Sequence, residues 1–424
     1  MRPACRISAD ILRVAMAFAI IGQVLIILAA SVVAGELFEQ FELPGIAGAL
    51  LAGLALGPTL LGIITPTAQL SGIESIALFF IMFFIGMGMS TQLITRNASR
   101  SMPLILTSFI LPLLAVAAVA YLSFGFGATA SFVVAMGITV PSISIVSVLA
   151  RRYGMLTTKT GYLVISSVII TDILAFSILI ALSRHPPSNA AFSLVGAALL
   201  VAAFLLAEKA ARRYFKAFNS ALRHVRRVFR SSNFAYGVLM VFGFLIAALF
   251  NYIGITYIIG AFFAGMITHS LISNTAAYGK VLSTFGRITD GFFIPVFFGI
   301  AGASAILNAS DISLRMAVGM AAAVAATVAI SYKLTVRFAA RSMPDRRAER
   351  KRQVASMLCA RGAVGVAIAI AALNSALISG LAYSVIIFVT VVIAIVASVL
   401  LRNSHVGRTA SLSPQQPKRP PGMR

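Results

Sequence analysis

One acidic residue lies near the middle of a long apolar segment. In GYLVISSVIITDILAFSILIAL, residues 161–182, Asp172 is the only charged side chain. A charge at the centre of a bilayer is disfavoured by ~2.5–3.5 kcal/mol on insertion scales, so such residues usually have a function. Because burial penalises the charged form of a carboxyl group, a proton and a metal cation can compete for it. The segment predicts an ion- and proton-binding site; a structural acid that stays protonated or ion-paired is the alternative.

A second polar feature interrupts another apolar segment, AMGITVPSISIVS, residues 135–147. Gly137 and Pro141 predict a break in the helix, since proline removes a backbone amide and clashes with the preceding turn. Thr139, Ser142 and Ser144 supply hydroxyl oxygens close by. Unwound carbonyls and hydroxyls beside a carboxylate suit a dehydrated monovalent cation. An ordinary proline kink stabilised by serine and threonine is the alternative interpretation.

Two cations also fall within apolar segments. Arg361, in LCARGAVGVAIA, is followed by Gly362 and Gly365, and glycines beside a buried cation predict an interrupted helix. Together with the break at Gly137 and Pro141, this interruption predicts a crossed pair of broken helices at the membrane midplane. Lys333, in AISYKLTVRFAARS, is interpreted either as a buried counter-ion or as a side chain that extends to the membrane surface.

The elements that must hold these residues are transmembrane helices. The chain is 60% hydrophobic and 11% charged, whereas a soluble domain is roughly half apolar and a quarter charged. The net charge is +23, and the basic residues that produce it lie between the apolar runs. This distribution indicates contacts with anionic lipids at the cytoplasmic face, not with nucleic acid. The sequence contains no nucleophile–base pair, metal cluster or phosphate loop, so we expect neither an enzyme nor a cofactor.

Thirteen candidate spans follow from the apolar runs, and they predict an all-α polytopic membrane protein. They lie near 11–34, 44–64, 73–90, 101–123, 128–150, 158–182, 190–212, 232–250, 252–270, 288–308, 312–340, 355–374 and 379–402.

The distribution of basic residues predicts the topology. Placing the N-terminus outside puts most lysines and arginines on the cytoplasmic side. The charges that flank the first span, taken by themselves, favour an N-terminus on the cytoplasmic side. The basic start could also be a signal peptide. We expect one transmembrane domain over residues 1–402, in a plasma membrane that is a bacterial inner membrane. A disordered, basic cytoplasmic tail follows over residues 403–424.

Two short motifs recur in the same order. GALLAG at 48–53 matches GAFFAG at 260–265, and FFIMFFIGMGMS at 79–90 matches FFIPVFFGIAGAS at 292–304. Small-residue and Phe-rich patterns are common in membrane helices, which is the plainer explanation. The order favours two inverted-topology six-helix repeats, at about 35–182 and about 232–402, joined by a helix at 190–212. Glu74 and Asp290 would then stand at equivalent helix starts, where an acid is favourable.

These motifs resemble those of the monovalent cation/proton antiporter superfamily, which includes the sodium/proton exchangers. The resemblance rests on ELFEQFELPGIAGALLAGLALGPTLLG at 36–62, GAFFAG, the TVP before RRYGML, the TD at Thr171–Asp172, and RGAVG at 361–365. It extends over roughly residues 35 to 400. It implies a thirteen-helix fold, a homodimer formed through a scaffold, and a six-helix core whose elevator-like movement carries sodium or potassium ions against protons.

The resemblance also implies residue roles. Asp172 matches the family's ion- and proton-binding carboxylate and Thr139 the polar residue of the first broken helix. Lys333 and Arg361 match its charge-compensating basic residues. Two departures are present: Thr171 replaces the usual Asp or Asn, and Val140 stands where a related branch has Asp. These leave open reduced activity or a preference for potassium.

Three functions follow as alternatives. The first is electroneutral exchange of one cation for one proton at Asp172, assisted by Thr171, Thr139 and Ser142. The second is a sodium-coupled solute symporter, which would need more polar residues than the spans offer. The third is a non-transporting or regulatory membrane protein with a degenerate ion site. His269, near the end of a span, is interpreted as an interfacial residue or as a sensor of cytoplasmic pH.

Overall fold

The computed structural model describes residues 3–41, 43–88, 99–143, 145–146, 150, 155, 158–184, 232–252, 257–272, 278–306, 313–338 and 348–403. Over these ranges the chain forms thirteen helices and one isolated β-bridge. The linking helix expected at 190–212 and the tail beyond residue 403 lie outside the described residues.

The helices are numbered in chain order. They are α1 Pro3–Gln40, α2 Gly45–Leu56, α3 Ala68–Met87, α4 Ser99–Phe124, α5 Ala128–Thr139, α6 Lys159–Arg184, α7 Ser232–Tyr252, α8 Tyr257–Ile272, α9 Tyr278–Ala303, α10 Leu314–Arg337, α11 Ala348–Leu358, α12 Ala363–Asn374 and α13 Gly380–Asn403. Helices α4 and α9 each contain one π-helical turn, at Leu106–Ile110 and Thr289–Phe293.

Seven of the described helices are long and apolar enough to cross a membrane. The prediction of an all-α polytopic membrane protein is confirmed. The spans expected near 128–150 and 355–374 are not continuous helices. The first ends as a helix at Thr139, and the second consists of α11 and α12, so both breaks that the sequence predicted are present.

Helix packing divides the described helices into two bundles. In the first bundle, α1, α2, α3, α7, α8 and α9 pack on one another; in the second, α4, α5, α6 and α10 to α13 do so. The bundles meet where α13 packs against α2. Both interrupted helices and Asp172 belong to the second bundle, which is therefore the bundle that holds the candidate site.

Glycines allow two helix pairs of the first bundle to touch at their backbones. A Cβ added to Gly86 or Gly265, where α3 crosses α8, would lie 2.1 or 2.2 Å from a carbonyl oxygen of the facing helix. The same distances apply to Gly53 and Gly302, where α2 crosses α9. These glycines come from the two recurring motifs, so the motifs make matching contacts. That supports an internal repeat, while its inverted topology stays a prediction.

Two acids do not stand at helix starts as the sequence suggested. Helix α3 begins at Ala68, with Thr67 accepting a hydrogen bond from the amide of Leu70 (3.3 Å) as its N-cap. Glu74 therefore lies in the second turn, and it is buried. Asp290 lies inside α9, in its π-helical turn, and is exposed. The apolar runs alone did not show that α3 and α9 begin well before these two acids.

Candidate functional site

The two interrupted helices of the second bundle cross at extended backbone. After α5 ends at Thr139, Pro141 pairs with Arg361 as an antiparallel β-bridge. The amide of Ser142 donates to the carbonyl of Ala360 at 2.9 Å. The chain becomes helical again at residues 143, 145 and 146. At the crossing, hydrogen bonds between two unwound segments replace the bonds of a continuous helix. The crossed pair of broken helices that the sequence predicted is present.

Glycines bring these segments together in a way the sequence did not show. Gly362 lies in the break and adopts an extended backbone. Gly137 and Gly365, which were expected at the breaks, instead lie inside α5 and α12. A Cβ on Gly365 would lie 2.2 Å from the carbonyl oxygen of Gly137. A methyl group on Gly365 would displace a backbone, whereas one on Gly137 would lie 3.1 Å from the Ile386 side chain. Both glycines therefore allow close contact between α5 and α12.

Arg361 is fully buried. Its guanidinium group donates hydrogen bonds to three helices around the crossing. Its Nη1 donates to the carbonyl of Leu358, the last residue of α11, at 2.7 Å. Its Nη2 donates to the carbonyl of Ser108 in the π-helical turn of α4 (3.0 Å) and to the hydroxyl of Ser331 on α10 (2.8 Å). A cation at a helix C-terminus is favourable because the last carbonyls lack helical partners. The charge of Arg361 therefore meets backbone carbonyls and a hydroxyl, and its charge-compensating role in ion binding stays a prediction.

Asp172 lies near the middle of α6 and is 0% exposed. Neither of its carboxylate oxygens has a hydrogen-bond partner within the described part of the chain. Helix α6 packs against α5, α11 and α12, the helices that form the crossing. An ionised carboxylate without a partner is very costly in such surroundings, so this group requires a proton or a cation.

Three of the hydroxyl-bearing residues expected beside Asp172, namely Thr139, Thr171 and Ser142, are buried. Thr139 donates its hydroxyl hydrogen to the carbonyl of Ala135 (2.7 Å), and Thr171 donates to that of Ser167 (2.8 Å). Because a hydroxyl oxygen keeps its lone pairs when it donates, both can still face a cation. Ser142 lies in the unwound segment, and its role as an ion ligand stays a prediction. Ser144 lies outside the described residues.

Lys333 is not the buried counter-ion that was one of its two interpretations from the sequence. It lies on an exposed side of α10, whereas Ser331 and Thr335 of the same helix are buried. The structure does not bring it into hydrogen-bond contact with Asp172, whose oxygens have no partner among the described residues. The helical periodicity explains this placement, since residues two apart on a helix face different sides. The buried cation of the site is Arg361.

The structure also shows a second buried acid that sequence reasoning missed. Glu74 on α3 is 7% exposed, and its Oε1 atom has no hydrogen-bond partner in the described structure. Asp172 is therefore not the only acid buried within a span. The signal that could have revealed Glu74 is Thr67, a favourable N-cap residue that places the helix start more than one turn before the acid.

A comparison with protein families identifies residues 24–403 as matching the model of the transmembrane sodium/hydrogen exchanger. Among curated proteins, the chain is 29% identical to the Na(+)/H(+) antiporter NhaS5 of Synechocystis over 64% of this chain and 38% of that protein. It is 25% identical to the probable Na(+)/H(+) antiporter 3 of Methanocaldococcus jannaschii, over 68% of this chain and 74% of that protein. The Na(+)/H(+)-K(+) antiporter GerN of Bacillus cereus is 24% identical over 67% of this chain and 71% of its own.

Among solved structures, the sodium proton antiporter MjNhaP1 of Methanocaldococcus jannaschii superposes with a TM-score of 0.60. The superposition covers 92% of this chain and 97% of that one, at 15% identity. At this identity the likeness shows a shared fold.

Proposed function

This chain belongs to the sodium/hydrogen exchanger family, and from that premise we propose that it exchanges a monovalent cation for protons at Asp172. The observation that carries the proposal is the buried carboxylate, which has no partner in the described structure and lies on the helix packed against the crossing. A proton or a small cation can neutralise it in turn, but both cannot do so at once. Alternate occupancy by the two is what antiport requires.

The cargo in this proposal is sodium or potassium. Relatives whose names specify an ion include Na(+)/H(+) antiporters, GerN, and the K(+)/H(+) antiporter 1 of Saccharomyces cerevisiae. Hydroxyl and carbonyl oxygens at Thr139, Ser142 and Thr171 would complete the coordination of the ion. Among the described residues Asp172 has no buried lysine beside it, and a single carboxylate of this kind favours one-for-one, electroneutral exchange.

Alternating access is proposed to occur by movement of the second bundle against the first. The residues of the proposed site belong to α5, to α6 and to the unwound segments at the crossing, and these elements pack within one bundle. A bundle that carries its own ion site can expose that site to either side of the membrane without being rebuilt. Assembly as a homodimer, contacts with anionic lipids and placement in a bacterial inner membrane stay predictions from the sequence.

The test uses proteoliposomes that contain a pH dye and carry an imposed proton gradient. Adding sodium, lithium or potassium should dissipate the gradient in the wild type, and Asp172→Asn should abolish that response. Asp290→Asn, which alters an exposed acid on α9, is the matched control and should transport normally. Antiport that persists in Asp172→Asn would refute the assignment of the site; no response from the wild type to any cation would refute antiport.

A further inference from the structure

A proline leaves the carbonyl oxygen of Ser108 open to donors from outside its own helix. In an α-helix each carbonyl accepts the amide four residues later, and for Ser108 that residue is Pro112, which has no amide hydrogen. The π-helical turn Leu106–Ile110 ends two residues before this proline. The other π-helical turn, Thr289–Phe293, ends two residues before Pro295. Each turn therefore lies where a proline withholds one helical hydrogen bond.

Two donors from other elements bind the Ser108 carbonyl. Arg361 donates to it through Nη2 at 3.0 Å, and the hydroxyl of Ser331 donates to it at 3.3 Å. The Ser331 oxygen also accepts from the same Nη2 atom at 2.8 Å. Both serines are buried. The Ser108 carbonyl and the Ser331 hydroxyl thus form one receptor for the guanidinium group, which we call the arginine anchor.

The arginine anchor acts on the crossing through the backbone of Arg361. That backbone pairs with Pro141 in the β-bridge, and the neighbouring Ala360 carbonyl accepts from the amide of Ser142 at 2.9 Å. On the other side, a Cβ added to Gly362 would lie 3.1 Å from the Ser142 hydroxyl oxygen. Because these contacts are tight, a shift of Arg361 would also shift the segment that carries Ser142.

A second hydroxyl contact joins the same two helices without the arginine. The hydroxyl oxygens of Thr107 on α4 and Thr335 on α10 are 3.1 Å apart, and both residues are buried. This contact packs α4 on α10 one helical turn away from Ser331. It therefore offers a way to separate ordinary packing of these helices from the placement of Arg361.

We propose that Ser331 and Pro112 are positioning residues of the exchange cycle. Ser331 holds Arg361 directly, and Pro112 keeps the Ser108 carbonyl available to it. The inference rests on the proposed function, since it takes Ser142 at the crossing to be an ion ligand. When the arginine anchor is weakened, fewer molecules present their ligands in the binding arrangement, so the apparent affinity for the cation falls. Saturating cation restores that arrangement, so the maximal rate is kept.

Four substitutions in the full-length chain separate the arginine anchor from helix packing. Ser331→Ala removes the hydroxyl that holds the guanidinium group. Pro112→Ala adds an amide directed at the Ser108 carbonyl, whose two lone pairs are already used, so one present donor must give way. Thr335→Val removes the other hydroxyl contact between α4 and α10. Pro295→Ala makes the same proline change after the second π-helical turn, and these last two variants are the matched controls.

The first readout is hydrogen–deuterium exchange of the Ser142 amide in detergent, measured by mass spectrometry on peptides that contain it. Its bond to the Ala360 carbonyl protects this amide in the wild type. Ser331→Ala and Pro112→Ala should each raise the exchange rate about tenfold, as expected for the loss of one hydrogen bond to a charged group. Thr335→Val and Pro295→Ala should leave the rate unchanged.

The second readout is antiport in proteoliposomes over a series of sodium or potassium concentrations. Ser331→Ala and Pro112→Ala should raise the half-saturating cation concentration several-fold and leave the maximal rate per folded molecule close to that of the wild type. Thr335→Val and Pro295→Ala should leave the half-saturating concentration unchanged. A merely structural role would lower the amount of folded protein without moving that concentration.

Unchanged exchange of the Ser142 amide in both anchor variants would overturn the proposal. Faster exchange with an unchanged half-saturating concentration would also overturn it, because the arginine anchor would then not serve the ion site. If Ser331→Ala does not fold, Pro112→Ala decides, since it keeps the side chains of Ser331 and Arg361. If the wild type shows no antiport, the proposed function fails, whereas the exchange measurement still decides whether the arginine anchor positions the crossing.

Discussion

Among the helix crossings with direct backbone contact, one in each bundle makes a useful comparison, because the two are built in opposite ways. Helices α3 and α8 stay continuous and meet at Gly86 and Gly265, with their backbone groups bonded within each helix. Helix α5 ends and helix α12 begins at the other crossing, where Pro141 pairs with Arg361. Glycine alone is sufficient for close packing. The broken crossing does more than pack helices: it places unwound backbone and the buried Arg361 between helices that pack against the helix carrying Asp172.

We expect the largest effect on transport from Gly365→Ala at the broken crossing. The added methyl carbon would lie 2.2 Å from the carbonyl oxygen of Gly137, so one backbone must move. Overpacking of this kind costs ~1–3 kcal/mol of stability, and antiport should fall to the level of liposomes without protein. Thermal unfolding in detergent and the liposome assay measure the two effects. Gly380→Ala is the control, since nothing lies within 4 Å of its added carbon.

Arg361→Lys should have the next largest effect. A lysine keeps the charge but cannot hold the end of α11, the turn of α4 and Ser331 at once, because it lacks the planar fork of arginine. A loss of ~1.4 kcal/mol in the population of the transport-competent arrangement corresponds to a rate about tenfold lower. Arg337→Lys, at an exposed position on α10, is the control. Full activity of Arg361→Lys would show that the broken crossing needs only a positive charge.

Gly265→Ala at the unbroken crossing sharpens the comparison. Its added carbon would also lie 2.2 Å from a carbonyl oxygen, that of Phe83, so the cost in stability should again be ~1–3 kcal/mol. Antiport per folded molecule should nevertheless stay above half of the wild-type rate, because this crossing packs two continuous helices and lies outside the proposed ion site. Equal loss of transport in Gly265→Ala and Gly365→Ala would remove the functional distinction between the crossings.

The smallest effect is expected from Lys333→Gln. Exposed substitutions usually change free energies by about ±0.5 kcal/mol, which is about twofold in an equilibrium constant. The apparent cation affinity measured by titration in liposomes should stay within that range. A loss of antiport would show that Lys333 reaches the site in another arrangement of the second bundle.

The sequence predicted several parts of the candidate site well because strong local chemistry specifies them. Pro141 cannot continue a helix, and an acid such as Asp172 inside an apolar segment stands out without knowledge of its neighbours. Other parts depend on partners far along the chain. The bonds from Arg361 to Ser108 and Ser331 join positions 253 and 30 residues apart, and no spacing in the sequence reveals them.

By itself, the sequence determined that the chain is a bundle of membrane helices, two of them interrupted, with an acid inside one span. Composition, proline and apolar length act locally, so their consequences can be inferred one segment at a time. Only the tertiary structure decided that Pro141 faces Arg361, that Lys333 is exposed, and that Glu74 is buried. Those outcomes depend on which helix faces pack together, and that is set by the fit of many side chains at once rather than by any single segment.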